Sequence, residues 1–194
     1  MACLLLTTLS AEPIAPDDRS KALSHLHATR KVFLDSIEGL SEAQWNFKPA
    51  PDRWSIAECA EHIAVSEDSL FEIVTAILKS PPAAADKRAL TKGKDELIVK
   101  MLPDRSRKVK APEFLLPKQR WPGRAELTAH FKASRDRNIA WIRDTQDDLR
   151  AHLMEHPVLK ELDAYQAILF VSAHSERHTL QLNEVKTDPN FPKK

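Results

Sequence analysis

Apolar side chains recur at steps of three and four residues in four long stretches of the chain. This period matches an α-helix that turns one face toward a core. The pattern predicts helices over residues 17–38, 55–79, 124–145 and 163–186. Helices of this length, each about 30 Å long, suit a four-helix bundle, so we expect an all-α protein.

Residues that favour helix ends flank two of these stretches. Asp17 or Asp18 is placed to cap the first helix, and Gly39 is placed to end it. Ser55 is placed to start the second helix, and Glu58 follows at the spacing of a capping box. These signals predict the helix boundaries independently of the apolar period.

The segment between the second and third predicted helices, residues 80–123, differs from the rest of the chain. It contains six prolines and, between Asp86 and Arg120, eleven Lys or Arg against five Asp or Glu. A connection of this length is long for a simple loop. We expect a long crossover between bundle helices, with a short helix near residues 95–102.

The remaining segments lie around this bundle. Residues 1–16 are predicted to form an apolar N-terminal arm that packs on the body, and the alternative is the remnant of a secretion signal. A polar connection through Pro157, with a short helical turn, is expected before the fourth helix. Residues 189–194 form a tail, so a single domain is expected over residues 17–188.

Composition and charge narrow the function classes. Three glycines cannot supply G-x-G-x-x-G or Walker A phosphate loops. With a net charge of +1, the chain has no overall electrostatic attraction for nucleic acid or for an anionic membrane. Aromatic residues, which would stack on bases, are sparse in the basic crossover. We therefore expect a cytoplasmic protein with a small-molecule partner, without nucleic-acid or membrane binding. Ile168, Leu169 and Leu180 are predicted as exposed apolar positions that would permit a homodimer.

Histidines supply the candidate chemistry, because two of their pairs have the i, i+4 spacing. His174 and His178 lie in the middle of the fourth predicted helix, about 40° apart on the face toward the core. Two imidazoles on adjacent turns can chelate one metal ion. His152 and His156 lie in a polar segment, where we expect them to face solvent.

A third metal ligand has to come from another helix, and His62 is the candidate. It lies on the inward stripe of the second predicted helix. A lone inward histidine is more often a core side chain, but three buried imidazoles without a shared partner would be costly. Three histidines with open positions are typical of a catalytic metal site, and zinc or nickel suits such ligands.

Each neighbouring polar residue has two interpretations. Glu58 and Glu61 can orient a histidine or accept a proton, but a helix cap is favoured for Glu58 and a solvated face for Glu61. Ser134 and Asn138 either line a pocket or are buried in the core, where neighbouring groups supply their hydrogen-bond partners. Cys59 can neighbour an ion, although a small core side chain is the favoured interpretation.

Three features of the chain resemble the DinB-like (DinB/YfiT) superfamily. The first is the segment from Leu40 to Ile63, whose W-S-x-x-E-x-x-x-H stretch ends at His62. The second is the H-x-x-x-H-x-x-Q stretch from His174 to Gln181. The third is the order of four helices with a long crossover between the second and the third. The resemblance covers roughly residues 17–186.

The resemblance implies a four-helix bundle that holds a divalent metal with His62, His174 and His178. Family members of known activity include S-transferases that use bacillithiol or mycothiol and a mycothiol-dependent maleylpyruvate isomerase. We therefore expect a metal-dependent enzyme, either a thiol-dependent S-transferase or a hydrolase, with a small-molecule substrate and a low-molecular-weight thiol as possible partner. The alternative is a non-catalytic metal- or ligand-binding bundle protein, because activity transfers poorly between proteins of one fold.

Overall fold

The computed structural model describes residues 13–193, which form seven α-helices, a two-stranded hairpin and one 3₁₀ turn at Glu113–Leu115. In chain order the elements are α1 (Pro16–Ile37), α2 (Glu42–Asn46), α3 (Ile56–Ile77), α4 (Ala85–Ala89), α5 (Lys94–Met101), α6 (Arg124–Asp144), β1 (Leu153–His156), β2 (Lys160–Asp163) and α7 (Ala164–Lys186). The long helices α1, α3, α6 and α7 confirm the predicted helical fold.

The long helices pack as a bundle in which α1 and α3 lie diagonally opposite each other. Each of these two helices contacts α6 on one side and α7 on the other. The connection from α3 to α6, residues 78–123, carries α4, α5 and the 3₁₀ turn, and α5 packs on α7. This segment, called the crossover below, contains more helix than the single short one predicted.

A polar layer separates two apolar layers of the bundle core. One apolar layer includes Leu26 and Ile142, and the other includes Phe33 and Phe131, whose rings meet edge to face at 4.6 Å between centroids. Along both α1 and α6, buried polar residues lie between these apolar positions. Polar side chains at this depth need hydrogen-bond partners.

Arg135 of α6 is the centre of the polar layer and is fully buried. All five of its N–H groups donate: two to the Glu67 carboxylate at 2.7 and 2.6 Å, one each to the Leu26 carbonyl (2.7 Å), Thr29 Oγ1 (2.8 Å) and Ser175 Oγ (2.9 Å). These partners belong to α3, α1 and α7. One guanidinium therefore connects all four bundle helices.

The start of α1 differs from the prediction. Ala15 is the N-cap residue and makes no side-chain hydrogen bond, while Pro16 opens the first turn. Proline is favoured there because a first-turn N–H has no partner within the helix. Asp17 and Asp18 lie in the first turn instead, where the helix dipole favours negative charge.

The predicted signals at the end of α1 and the start of α3 are confirmed. Gly39 follows α1 with a φ of 65°, a conformation that glycine adopts at little cost. At α3, Ser55 Oγ accepts from the Glu58 N–H at 3.1 Å, and the Glu58 carboxylate accepts from the Ser55 N–H at 2.7 Å. This capping box fixes the helix that carries His62.

A β-hairpin stands where a helical turn was predicted before the last helix. Strands β1 and β2 pair antiparallel, with Leu153 opposite Asp163 and His156 opposite Lys160. Lys160 has a φ of 59°, the left-handed conformation that follows a three-residue hairpin turn. The prediction was wrong because a lysine occupies the position where glycine usually signals such a turn.

The described residues of both flanking segments include side chains that pack on the bundle. Ile14 is buried in the same apolar layer as Leu26, whereas residues 1–12, and with them the signal-remnant hypothesis, lie outside the described residues. At the other end, Phe191 packs edge to face against Phe47, with 5.6 Å between ring centroids. The start of the predicted tail therefore contributes to the body.

The apolar residues of α7 face the core more completely than predicted. Ile168 and Leu169 are buried, so their prediction as an exposed dimer face was wrong, and Leu180 is exposed. They are buried because α7 packs against both α1 and α3. Within residues 13–193, no helix combines the length and apolar character needed to cross a membrane.

Candidate metal centre

Three histidines meet where α3 packs against α7. His62 lies near the start of α3, and His174 and His178 lie on adjacent turns of α7. The Nε2 atom of His62 lies 3.3 Å from Nε2 of His174 and 3.1 Å from Nε2 of His178. One ring nitrogen of each residue lies within 4.8 Å of the others. Such spacing suits a single ion, because imidazole–zinc bonds are about 2.0–2.1 Å long.

In His62 and His178, a hydrogen bond at Nδ1 determines which ring nitrogen carries the proton. His62 Nδ1 lies 2.8 Å from the Leu115 carbonyl oxygen, which can only accept, so this nitrogen carries the proton. His178 Nδ1 lies 2.8 Å from Gln181 Oε1, which also accepts from the Arg105 guanidinium at 3.2 Å. His178 Nδ1 is therefore the donor as well. A neutral imidazole protonated at Nδ1 presents a lone pair at Nε2.

The donor atoms of the cluster therefore fit a cation. The lone pairs of His62 and His178 face each other across 3.1 Å, and two acceptors cannot hydrogen-bond to each other. A positive ion in contact with both would turn this repulsion into attraction. His174 differs from the other two, since its Nδ1 is buried without a hydrogen-bond partner among the described residues.

Burial keeps all three imidazoles neutral. It lowers the pKa of His62 to about 4, against the opposing effect of the hydrogen bond to Leu115. Burial, followed by the repulsion between His178 and His62 when both are protonated, lowers the pKa of His178 to about 2. Burial also lowers the pKa of His174 well below its ordinary value, with further lowering by His178 and His62. Neutral imidazole is the form that binds metal ions.

Aromatic rings flank the three-histidine cluster. The Trp54 ring centroid lies 4.9 Å from that of His62 and 6.1 Å from that of His178. On the α7 side, Phe170 stacks on His174 at 6.0 Å. These rings lower the local dielectric, which strengthens electrostatic interactions inside the cluster.

Glu61, predicted to face solvent, is buried beside His62, with 5% of its surface exposed. Its carboxylate accepts hydrogen bonds from the main-chain N–H groups of Lys118, Gln119 and Arg120, and from the Arg120 guanidinium. The prediction was wrong because most of these partners are main-chain groups of the crossover. A sequence gives no sign that main-chain donors from a distant segment converge on one side chain.

The second histidine pair does not join the cluster. His152 Nδ1 bonds to the Ser80 carbonyl at 2.7 Å, and His156 Nδ1 accepts from the N–H groups of Val158 and Leu159 at 3.2 and 3.0 Å. Both histidines are half-buried, so the prediction that they face solvent was wrong. His152 therefore contacts the start of the crossover, and His156 accepts hydrogen bonds within the hairpin turn.

The other polar candidates lie in the core. Asn138 Nδ2 donates to the Glu67 carboxylate at 2.8 Å, but Asn138 Oδ1 and Ser134 Oγ are buried without a hydrogen-bond partner among the described residues, so the predicted local hydrogen bonding is only partly present. Cys59 is fully buried among apolar residues, and burial raises the pKa of its thiol to about 12. A thiol with such a pKa stays protonated at neutral pH, so Cys59 behaves as a small core side chain.

A sequence model described as the DinB superfamily matches residues 25–182, most of the chain. The chain belongs to the DinB superfamily. Residues of α1, α3, α6 and α7, together with all three clustered histidines, fall within the match. The family resemblance stated from the sequence is thereby confirmed.

The chain is also similar to two proteins of Bacillus subtilis. The uncharacterized protein YuaE of Bacillus subtilis (strain 168) is 26% identical over 164 residues, which are 84% of this chain and 96% of YuaE. The structure of YfiT from Bacillus subtilis, described as "a probable metal-dependent hydrolase with an unusual four-helix bundle topology", superposes with a TM-score of 0.58 over 94% of each chain at 14% identity. At this identity the likeness shows a shared fold.

Proposed function

We propose that this protein is a divalent-metal-dependent enzyme whose metal is held by His62, His174 and His178. The convergence of three neutral imidazoles, two of which have Nε2 fixed as a lone pair, carries the proposal. Three protein ligands leave positions open for a small molecule, as in catalytic zinc sites. Zinc or nickel is the proposed metal, because imidazole suits both ions.

In the proposed reaction, a water molecule or a low-molecular-weight thiol loses a proton and bonds to an electrophilic carbon of a small molecule, and the group displaced from that carbon leaves with a proton. A divalent ion in the site supplies Lewis acidity and lowers the pKa of a coordinated water or thiol. The chain itself orients the ligands, through Leu115 at His62 and Gln181 at His178, and Trp54 helps to exclude bulk water. The description of YfiT supports the hydrolytic alternative, and thiol transfer is the second alternative.

Metal analysis of the purified protein tests the site. We expect about one zinc or nickel ion per chain in the wild type, since the three ligands form one centre. His174→Ala should lose most of this metal, whereas His152→Ala, a histidine outside the cluster, should retain it. Equal metal content in His174→Ala and the wild type would overturn the proposed site.

Turnover assays separate the candidate activities. The zinc- and nickel-loaded proteins are incubated with activated esters and amides without thiol, and with electrophiles in the presence of bacillithiol or mycothiol. Hydrolysis without thiol that disappears on chelation would assign a hydrolase, and a strict thiol requirement would assign an S-transferase. Stoichiometric metal with no turnover in either assay would overturn the enzymatic proposal in favour of a metal-binding bundle protein.

A further inference from the structure

The crossover lies directly on the outer side of the metal centre. The Leu115 carbonyl, in its 3₁₀ turn, accepts the Nδ1 proton of His62 at 2.8 Å. Leu115 itself is buried, with 3% of its surface exposed. Since this bond decides which nitrogen of His62 carries the proton, the position of the turn decides whether Nε2 is available to a metal.

A single carboxylate holds the segment that follows this turn. Glu61 Oε1 accepts from the main-chain N–H groups of Lys118 at 2.7 Å and Arg120 at 3.2 Å, and Oε2 accepts from that of Gln119 at 2.9 Å. Gln119 has a φ of 57°, in the left-handed region. Successive N–H groups in such a conformation form a concave nest that binds anions, and here the anion is a side chain of α3.

Arg120 connects this nest to the turn at His62. Its Nη1 atom donates to Glu61 at 2.9 Å and to the Leu116 carbonyl at 2.8 Å, and Nη2 donates to the Phe114 carbonyl at 3.3 Å. Leu116 and Phe114 are the two neighbours of Leu115. The hydrogen bonds thus run from Glu61 through Arg120 to both sides of Leu115, and from Leu115 back to His62.

We propose that Glu61 is a positioning residue of the metal centre, which acts through the Arg120 guanidinium and the main chain of residues 118–120 to hold the Leu115 carbonyl against His62 Nδ1. The role in metal binding rests on the proposed function, whereas the effect on His62 exists without a metal. A purely structural role predicts that loss of Glu61 changes stability alone. A positioning role also predicts a change in the protonation site of His62.

The test compares Glu61→Gln with Glu58→Gln, the same substitution three residues earlier on α3. In the metal-free wild type, nitrogen NMR should show His62 protonated at Nδ1 with a slowly exchanging proton. Glu61→Gln should lose this slow exchange and bind zinc about 10- to 100-fold more weakly in competition with a chelating dye. Glu58→Gln should keep both properties, because glutamine still completes a capping box.

A second variant keeps the inference testable if Glu61→Gln unfolds. Arg120→Ala leaves the main-chain bonds to Glu61 in place, and it should weaken zinc binding less than Glu61→Gln while speeding exchange of the His62 proton. Wild-type zinc affinity and an unchanged His62 proton in either folded variant would overturn the proposal. If the wild type bound no zinc, the proposed function would fail, and the His62 proton would still decide the role of Glu61.

Discussion

Arg135 and Glu67 form an ion pair whose side chains are both at 0% exposure. Burying two charges costs free energy, and their attraction offsets this cost only when the remaining hydrogen bonds are made. Here every guanidinium N–H has a partner on α1, α3 or α7. The pair therefore depends on the relative position of all four helices.

Removing one member of this pair should be strongly destabilising. Arg135→Met leaves the Glu67 carboxylate buried without its partner, so we expect the free energy of unfolding to fall by about 3–5 kcal/mol. Urea unfolding followed by circular dichroism measures the change. The double variant Glu67→Met with Arg135→Met should lose less than the sum of the single variants, and a single variant within about 1 kcal/mol of the wild type would contradict the prediction.

His156 should make stability depend on pH. Burial lowers its pKa below the ordinary value of 6.5, so as the pH falls below 6.5 the unfolded chain binds the proton first. The contribution of His156 is therefore complete above pH 6.5 and is lost on acidification. In His156→Asn the amide oxygen can still accept the turn N–H groups but does not titrate, so part of the loss should disappear.

Urea unfolding of both proteins between about pH 7.5 and 5 measures this difference. His27→Asn, at an exposed position of α1, is the matched control and should leave the profile unchanged. Coincident profiles for the wild type and His156→Asn would show that His156 does not contribute to the pH dependence.

At the residue scale, the sequence predicted the three histidines that converge but not the residues that orient them. His174 and His178 are recognisable because both ligands lie on one helix at a fixed spacing, and His62 follows from the apolar stripe. Glu61 and Arg135 carry charges, and charged residues are usually exposed. Their burial depends on partners that tertiary folding brings from distant segments, which periodicity does not encode.

At the level of elements, long periodic stretches were predictable and short ones were not. The ends of the four bundle helices lie within two residues of the predicted ends, because many turns repeat the same apolar period. The hairpin strands contain four residues each, too few for an alternating pattern to show. The pairing of the two strands depends on the geometry of the turn between them and on the packing of Leu162 in the core.

A substitution at Lys160 should stabilise the hairpin. Its left-handed φ of 59° costs a residue with a Cβ atom about 1–2 kcal/mol relative to the right-handed region. Lys160→Gly should relieve this cost and raise the free energy of unfolding by up to about 1 kcal/mol, which thermal unfolding measures. Lys160→Ala keeps the Cβ atom and should give no gain, so equal stabilisation by both would contradict the role of φ.

For the whole molecule, metal binding and stability are linked by mass action. An ion that binds the folded chain and not the unfolded one should add about 2.7 kcal/mol at a concentration of one hundred times its Kd. For a chain of this size that corresponds to a rise in Tm of roughly 5–10 °C. Scanning calorimetry with zinc and after chelation measures the shift, and His174→Ala should show none. The same shift in His174→Ala would place the stabilising ion elsewhere.

The separation of the ligands along the chain determines when the centre can form during synthesis. His62 and His174 are 112 residues apart, and α7 is the last helix within residues 13–193. A nascent chain that ends before α7 contains one of the three ligands and lacks one of the two bundle helices against which α3 packs. Metal capture at the proposed centre therefore follows the docking of α7 on α3, and it cannot assist the folding of segments that are synthesised before α7.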